Sequence, residues 1–334
     1  MSAVHVVVPE GVGDPARPSG GNTFDRRVCR GLAAAGWAVR VHEASRPGRL
    51  AAALSRVPDG AVVVVDGLVA SAAGDALVAE AGRVRLVPLV HMPFGTPDER
   101  AVLSASQSVI TTSAWTRRFL VEAYSMPEDR VHVAEPGADA AELAPGTAAA
   151  GALLSVAAVI PGKGHDLLLD ALSLLGGRWH CRCVGSLDRD LVFVERLRRR
   201  VAEGGLAERV RFAGPESEAQ LARSYGEADL LVLPSRGETY GMVVTEALAR
   251  GLPVVATEVG GVPEALGHGA DGTRPGLLVP PDDPRALRDA LRRWLDDPRL
   301  RRRLRRAARE RRASLAGWTT TTAVVGDVLT GAAR

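Results

Sequence analysis

Short runs of β-branched and other apolar residues recur along the whole chain, separated by helical patterns. The run Val62-Val-Val-Val65 is the plainest of them. A strand that is apolar at every position, with no alternation, must be covered on both faces, which is the environment of a parallel sheet flanked by helices. Strands are expected at residues 4–8, 38–42, 61–65, 85–90, 108–111 and 131–134, and again at 153–159, 180–184, 210–213, 230–233, 254–256 and 276–279. Helical patterns fall between them, near 23–35, 115–123, 164–175, 190–202, 218–228, 241–250, 284–295 and 298–314. Ser113 stands before the second of these as an N-cap. An Ala-, Gly- and Pro-rich stretch at 136–151 breaks the rhythm and reads as an interdomain linker. The expectation is two successive Rossmann-like units, 1–140 and 141–317, followed by a terminal helical segment at 318–334.

Composition narrows the class. At 334 residues, 46% apolar and 24% charged, the chain has the make-up of a folded two-domain protein. The net charge of +3 is mild and aromatics are only 4%, which argues against nucleic-acid binding. The dense basic run at 292–312 reads as a solvated helical face. Three cysteines, Cys29, Cys181 and Cys183, suit a reducing compartment. Cys181 and Cys183 beside His180 lie in a strand-like run with no fourth ligand nearby, so they read as packing residues, not a metal site. The start of the chain lacks the pattern of a signal peptide. The most apolar stretch, 61–82, is interrupted by Asp66, Asp75 and Glu80. A cytoplasmic location is expected, with peripheral membrane contact left open. Nothing in the sequence sets an oligomeric state.

In parallel α/β sheets, ligands sit on the loops after the strands, so the chemistry is sought there. Gly11-x-Gly13 is loosely like a dinucleotide fingerprint, but Pro15 interrupts it and the third glycine is misplaced. Gly20-Gly21-Asn22 opens the next helix and lets backbone N–H groups approach an anion. Of 42 basic residues, Lys163 is the only lysine, and it lies in Pro161-Gly-Lys-Gly-His165 between a strand and a helix. An ammonium there suits a phosphate. The loop is not a Walker A sequence. The third group is Glu238-Thr239-Tyr240-Gly241-Met242-Val243 with Glu246 about two helical turns beyond Glu238. Two carboxylates beside a Gly-rich helix start suit the hydroxyls of a ribose and a sugar.

Together these motifs resemble retaining glycosyltransferases of family 4, with the GT-B fold: two Rossmann-like domains facing each other across a cleft. The resemblance also rests on Leu89-Val-His-Met-Pro93, Ala134-Glu-Pro-Gly137, Val210-Arg-Phe-Ala-Gly214 and Gly260-Gly-Val-Pro-Glu264. It implies sugar transfer from a nucleotide-diphosphate donor, of UDP or GDP type, to a hydroxyl on a small-molecule or lipid acceptor, with no cofactor and no metal required. It gives His91, Lys163 and Glu238 catalytic roles. Donor contacts fall to Gly21, Asn22, Lys163, Arg211, Phe212, Glu238, Thr239, Tyr240, Gly241, Met242, Val243 and Glu246. The terminal helix would cross back onto the first domain. One departure stands out: where relatives place an arginine a few residues before the lysine, this chain has Ala158, and Arg236 is the candidate replacement. A non-catalytic nucleotide-sugar binder and a nucleotide-sugar epimerase remain as alternatives. Asp188-Arg-Asp190 imitates a metal-binding Asp-x-Asp but reads as solvated loop acids.

Overall fold

The computed structural model describes residues 3–14, 19–44 and 46–333, so Pro15 and Pro18 of the first loop lie outside the described residues. The described residues form two compact units, one of residues 3–14, 19–44, 46–137 and 316–333, the other of 138–315.

The first unit contains β1 (Ala3–Val8), α1 (Gly20–Ala34), β2 (Ala38–Glu43), α2 (Pro47–Leu54), β3 (Val62–Asp66), α3 (Gly67–Ala72), α4 (Gly74–Glu80), β4 (Arg85–Val90), α5 (Pro97–Ala105), β5 (Val109–Thr111), α6 (Ala114–Tyr124) and β6 (Val131–Val133). The second contains β7 (Ala152–Val156), α7 (His165–Ser173), β8 (His180–Val184), α8 (Leu191–Glu203), β9 (Val210–Gly214), α9 (Glu218–Glu227), β10 (Leu230–Leu233), α10 (Met242–Leu248), β11 (Val254–Thr257), α11 (Val262–Leu266), β12 (Gly276–Val279), α12 (Pro284–Asp296) and α13 (Pro298–Ala313). The last helix, α14 (Trp318–Ala332), belongs to the first unit.

Both sheets are parallel throughout, in the orders β2-β1-β3-β4-β5-β6 and β12-β11-β10-β7-β8-β9. The apolar runs explain this: β3 is buried at every position, as are β10 and β11. Each order reverses once, between β1 and β3 in the first sheet and between β7 and β10 in the second. Such switch points leave a crevice at the carboxyl ends of the two strands, where ligands bind in sheets of this kind.

Three local differences from the sequence expectation have physical causes. The strand expected over 153–159 ends at Val156. Beyond it, Gly185 comes so close that a Cβ there would lie 2.0 Å from the Ala157 carbonyl oxygen, and the chain turns into a 3-10 turn at Pro161–Lys163. The first helix begins at Gly20, because Ser19 is its N-cap and accepts from the Asn22 N–H at 3.1 Å. The stretch at 138–151 is fastened to the second unit. Asp229, buried at the start of β10, accepts from the Thr147 N–H and hydroxyl and from the Ala152 N–H, and Ala144 N–H donates to Arg250 O. The first unit closes around its last helix: Thr321 Oγ1 donates to Glu135 O, and Gly31 lets α1 approach Thr322.

Candidate functional site

Lys163 and Glu238 emerge from β7 and β10, the two strands that flank the switch point of the second sheet. Their side chains meet: Lys163 Nζ donates to Glu238 Oε1 at 2.6 Å, and Ser235 Oγ donates to the same oxygen at 2.7 Å. Glu238 Oε2 makes no hydrogen bond among the described residues, so one carboxylate oxygen is left to accept from a hydroxyl.

Glycines hold these loops against one another. A Cβ on Gly164 would stand 1.9 Å from Pro234 O, one on Gly260 would stand 1.6 Å from Glu238 O, and one on Gly261 would stand 2.2 Å from Thr239 O. Backbone bonds close the interlock, from Arg236 N–H to Gly162 O and from Gly261 N–H to Glu238 O. Gly241, at φ +92°, turns the chain into α10 in a conformation that suits glycine. Met242 and Val243 follow at the helix start, half-buried, where backbone N–H groups lack intrahelical partners.

Glu246 lies on α10, half-buried, and accepts from Tyr225 OH at 2.8 Å. Burial pushes its carboxyl up, against the pull of the Tyr225 bond and of Arg250. Arg250 is fixed over the Tyr225 ring at 4.5 Å. Tyr240, expected among the donor contacts, buries its ring in the core that includes Val244 and Leu248. Arg211 and Phe212 separate, because successive side chains of a strand point to opposite faces. Phe212 packs toward His165 beside the Lys163 loop (ring centroids 6.2 Å apart), whereas Arg211 lines a cavity of about 430 Å³ with Arg182, Glu208 and Ser224. Arg236 does not act as a free cation: it pairs with Asp166 at 2.9 Å and Asp282 at 2.7 Å and donates to Pro161 O. It braces the Lys163 loop. Asp190 caps α8, accepting from Phe193 N–H, and Asp188 accepts from the Ser186 hydroxyl, so the Asp-x-Asp carboxylates serve local structure. Cys181 and Cys183 are core residues of β8.

His165, at the start of α7, is buried with neither ring nitrogen bonded among the described residues. Burial lowers its pKa to about 4. In the unfolded chain the imidazole titrates near 6.5, so the unfolded state gains protons first as pH falls. Stability is intact above about pH 6.5 and declines through pH 4, by roughly 3 kcal/mol at the lower end. His165→Leu is expected to flatten that acid loss, measured as Tm between pH 7 and pH 4.5.

In the first unit, His91 follows β4 and Gly21 lies in the first turn of α1. A Cβ on Gly21 would be 3.2 Å from His91 Cδ2, so these two predicted residues are neighbours. Asn22 is half-buried in the same turn. Two residues the sequence reading missed join them. His91 Nε2 lies 2.8 Å from Asp25 Oδ1 and 3.4 Å from Asp66 Oδ2. The three donor atoms lie within 4.8 Å of one another, a spacing that a metal could also occupy. Asp25 sits among the buried residues of α1, with Phe24, Val28 and Leu32, and an acid on an apolar helix stripe was the available signal. Burial raises the Asp66 carboxyl to about 6, with His91 opposing and Asp25 adding to the rise. Burial would lower the pKa of His91, but Asp25 and then Asp66 outweigh it and raise it.

Residues 150–311 match the family described as glycosyl transferases group 1. The second unit belongs to the group 1 glycosyltransferases. This bears out the family resemblance carried by the motifs. A D-inositol 3-phosphate glycosyltransferase of Streptomyces avermitilis is 35% identical over 254 residues, covering 70% of this chain and 54% of the relative. The chain thus spans about half the length of that curated relative. The sucrose-phosphate synthase of Thermosynechococcus elongatus matches in fold with a TM-score of 0.80 at 22% identity, over 99% of each chain. The HepE protein of Anabaena, solved in complex with UDP-glucose, matches at 0.79 and 17% identity, over 99% of this chain and 100% of that one. The fold is therefore the expected GT-B class. Among the described residues, no helix is long and apolar enough to cross a membrane.

Proposed function

We propose that this chain transfers a sugar from a nucleoside-diphosphate sugar to a hydroxyl-bearing acceptor, with retention at the anomeric carbon and without a metal. The observation that carries the reading is the Lys163–Glu238 pair at the switch point of the group 1 unit, with Glu246 on the adjoining helix. In this mechanism the donor diphosphate takes over Lys163. Charge grows on the leaving phosphate as the glycosidic bond breaks. The ammonium and the N–H groups of Gly241, Met242 and Val243 stabilise it without reorganising. Glu238 Oε2 accepts from a sugar hydroxyl, and Glu246 holds the ribose. Attack comes from the face that the phosphate leaves, and the phosphate takes the acceptor proton. Gly21 and His91 keep the substrate-binding roles that the family resemblance gives them. The three free cysteines suit action in the cytoplasm.

A UDP-type donor is favoured by the UDP-glucose complex of HepE, and an acceptor hydroxyl on a polar small molecule by the inositol phosphate in the name of the Streptomyces relative. A thermal-shift panel of UDP-, GDP-, ADP- and dTDP-sugars tests the donor. Ligand at about 100 times its Kd adds roughly 2.7 kcal/mol and raises Tm by several degrees. No shift with any of the four would sink the reading. One observation favours a binder without turnover: Ala158 leaves no arginine before Lys163, and Arg236 is engaged by two carboxylates. A donor that shifts Tm yet is neither hydrolysed nor transferred would select that alternative.

A further inference from the structure

The unusual group in the first unit is Asp25. It lies on the buried face of α1, 3% exposed, where the helix otherwise presents Phe24, Val28 and Leu32. Its Oδ1 bonds His91 Nε2, and its Oδ2 is buried without a partner among the described residues. A half-satisfied buried carboxylate is costly, and the hydrogen bond it makes is to His91.

That bond fixes the histidine. Nε2 is enclosed by Asp25 on one side and Asp66 on the other, and Asp66 is itself held by the Leu68 N–H at 2.7 Å. The ring of Phe24 meets the imidazole edge-on at 5.2 Å, and Gly21 lies against Cδ2. The His91 side chain is 19% exposed, and its Nδ1 makes no hydrogen bond among the described residues. The enclosed nitrogen is therefore committed to the protein and the other is open.

We propose that Asp25 is a positioning residue: it pins Nε2–H of His91 so that Nδ1 is the ring nitrogen presented to a substrate hydroxyl. This rests on the sugar-transfer reading above. The raised pKa of His91 supports it, because the imidazolium then persists to higher pH and Nδ1–H donates to the substrate oxygen. Besides Asp66, the titratable group facing the pair is Cys29, which sits one turn on from Asp25. Its thiol is pushed up to about 12 by burial and then by Asp25, so it stays neutral.

Asp25→Asn keeps the shape and removes the charge. The first measurement is NMR of the imidazole nitrogens, with His91→Gln assigning the signal. In the wild-type protein His91 should carry its proton on Nε2 when neutral and titrate above the free imidazole range. In Asp25→Asn the midpoint should fall by about a unit or more. The second is the pH–rate profile with the donor found by thermal shift. Asp25→Asn should lower kcat on the order of 10- to 100-fold, with the donor KM within about twofold. The alkaline limb should move toward acid. Asp66→Asn, at the longer contact, should move both readouts the same way by less, and it serves if Asp25→Asn does not fold. An unchanged His91 midpoint would overturn the pairing, and a shifted midpoint with an unchanged profile would overturn its part in transfer. Stabilisation by Zn²⁺ or Mn²⁺ that Asp25→Asn abolishes would overturn it too, in favour of a metal centre. If no donor turns over, the sugar-transfer reading fails, and the NMR titration still decides the pairing of Asp25 with His91.

Discussion

Lys163→Ala lowers donor turnover on the order of 10²- to 10³-fold, measured as kcat/KM for transfer or for donor hydrolysis, while Tm stays within a few degrees. The two halves of that expectation come from different physics. Lys163 and Glu238 are partly exposed at 28% and 13%, so their ion pair adds no more than about 1 kcal/mol to folding. The same ammonium in contact with a leaving phosphate meets charge that appears only as the bond breaks. Neither candidate for a second cation replaces it: Ala158 is apolar, and the Arg236 guanidinium is held by Asp166 and Asp282. Lys163→Arg is expected to recover only part of the loss. The longer planar group must fit where Nζ now sits 2.6 Å from Glu238, and a 3-10 turn fixes the backbone. Wild-type turnover in Lys163→Ala would remove the lysine from the mechanism.

Gly164→Ala destabilises the second unit by at least about 3 kcal/mol and lowers Tm by roughly 5–10 °C, with loss of donor binding. The residue sits at φ +67°, which an L side chain adopts at a cost of roughly 1–2 kcal/mol. The added Cβ would also stand 1.9 Å from Pro234 O, a backbone atom that cannot rotate away. Moving that strand end would break the Arg236 N–H to Gly162 O bond and displace Glu238 from Lys163. Gly162→Ala, two residues away, is the control, since nothing lies within 4 Å of its Cβ position. It should change stability by less than about 0.5 kcal/mol. Equal losses in the two variants would mean that the turn tolerates no side chain anywhere, and that the Pro234 contact is not the cause.

Much of this was readable from local pattern. The apolar runs marked the twelve strands of the described residues to within a few positions, because a strand covered on both faces cannot hide its composition. The short helices α2 to α5 were missed. Six to nine residues rich in Ala, with caps such as Thr96 and Asp66, carry too little period to stand out from loop. Lys163, Glu238 and Glu246 were visible because each sits in a Gly-rich or helical stretch after a strand. The burial of the Tyr240 ring was not visible in the sequence, since it follows from the turn at Gly241, which depends on φ and not on residue type.

The sequence by itself determined the architecture and the placement of chemistry on the loops after strands, since both follow from periodicity within a few residues. Tertiary structure decided the partnerships. The Lys163–Glu238 pair spans 75 residues, the Asp25–His91 bond 66, and the Arg236–Asp166 bond 70. No local pattern encodes such contacts. They exist because the strand order puts β7 beside β10 and only β3 between β1 and β4, and because glycines permit close approach at these loops.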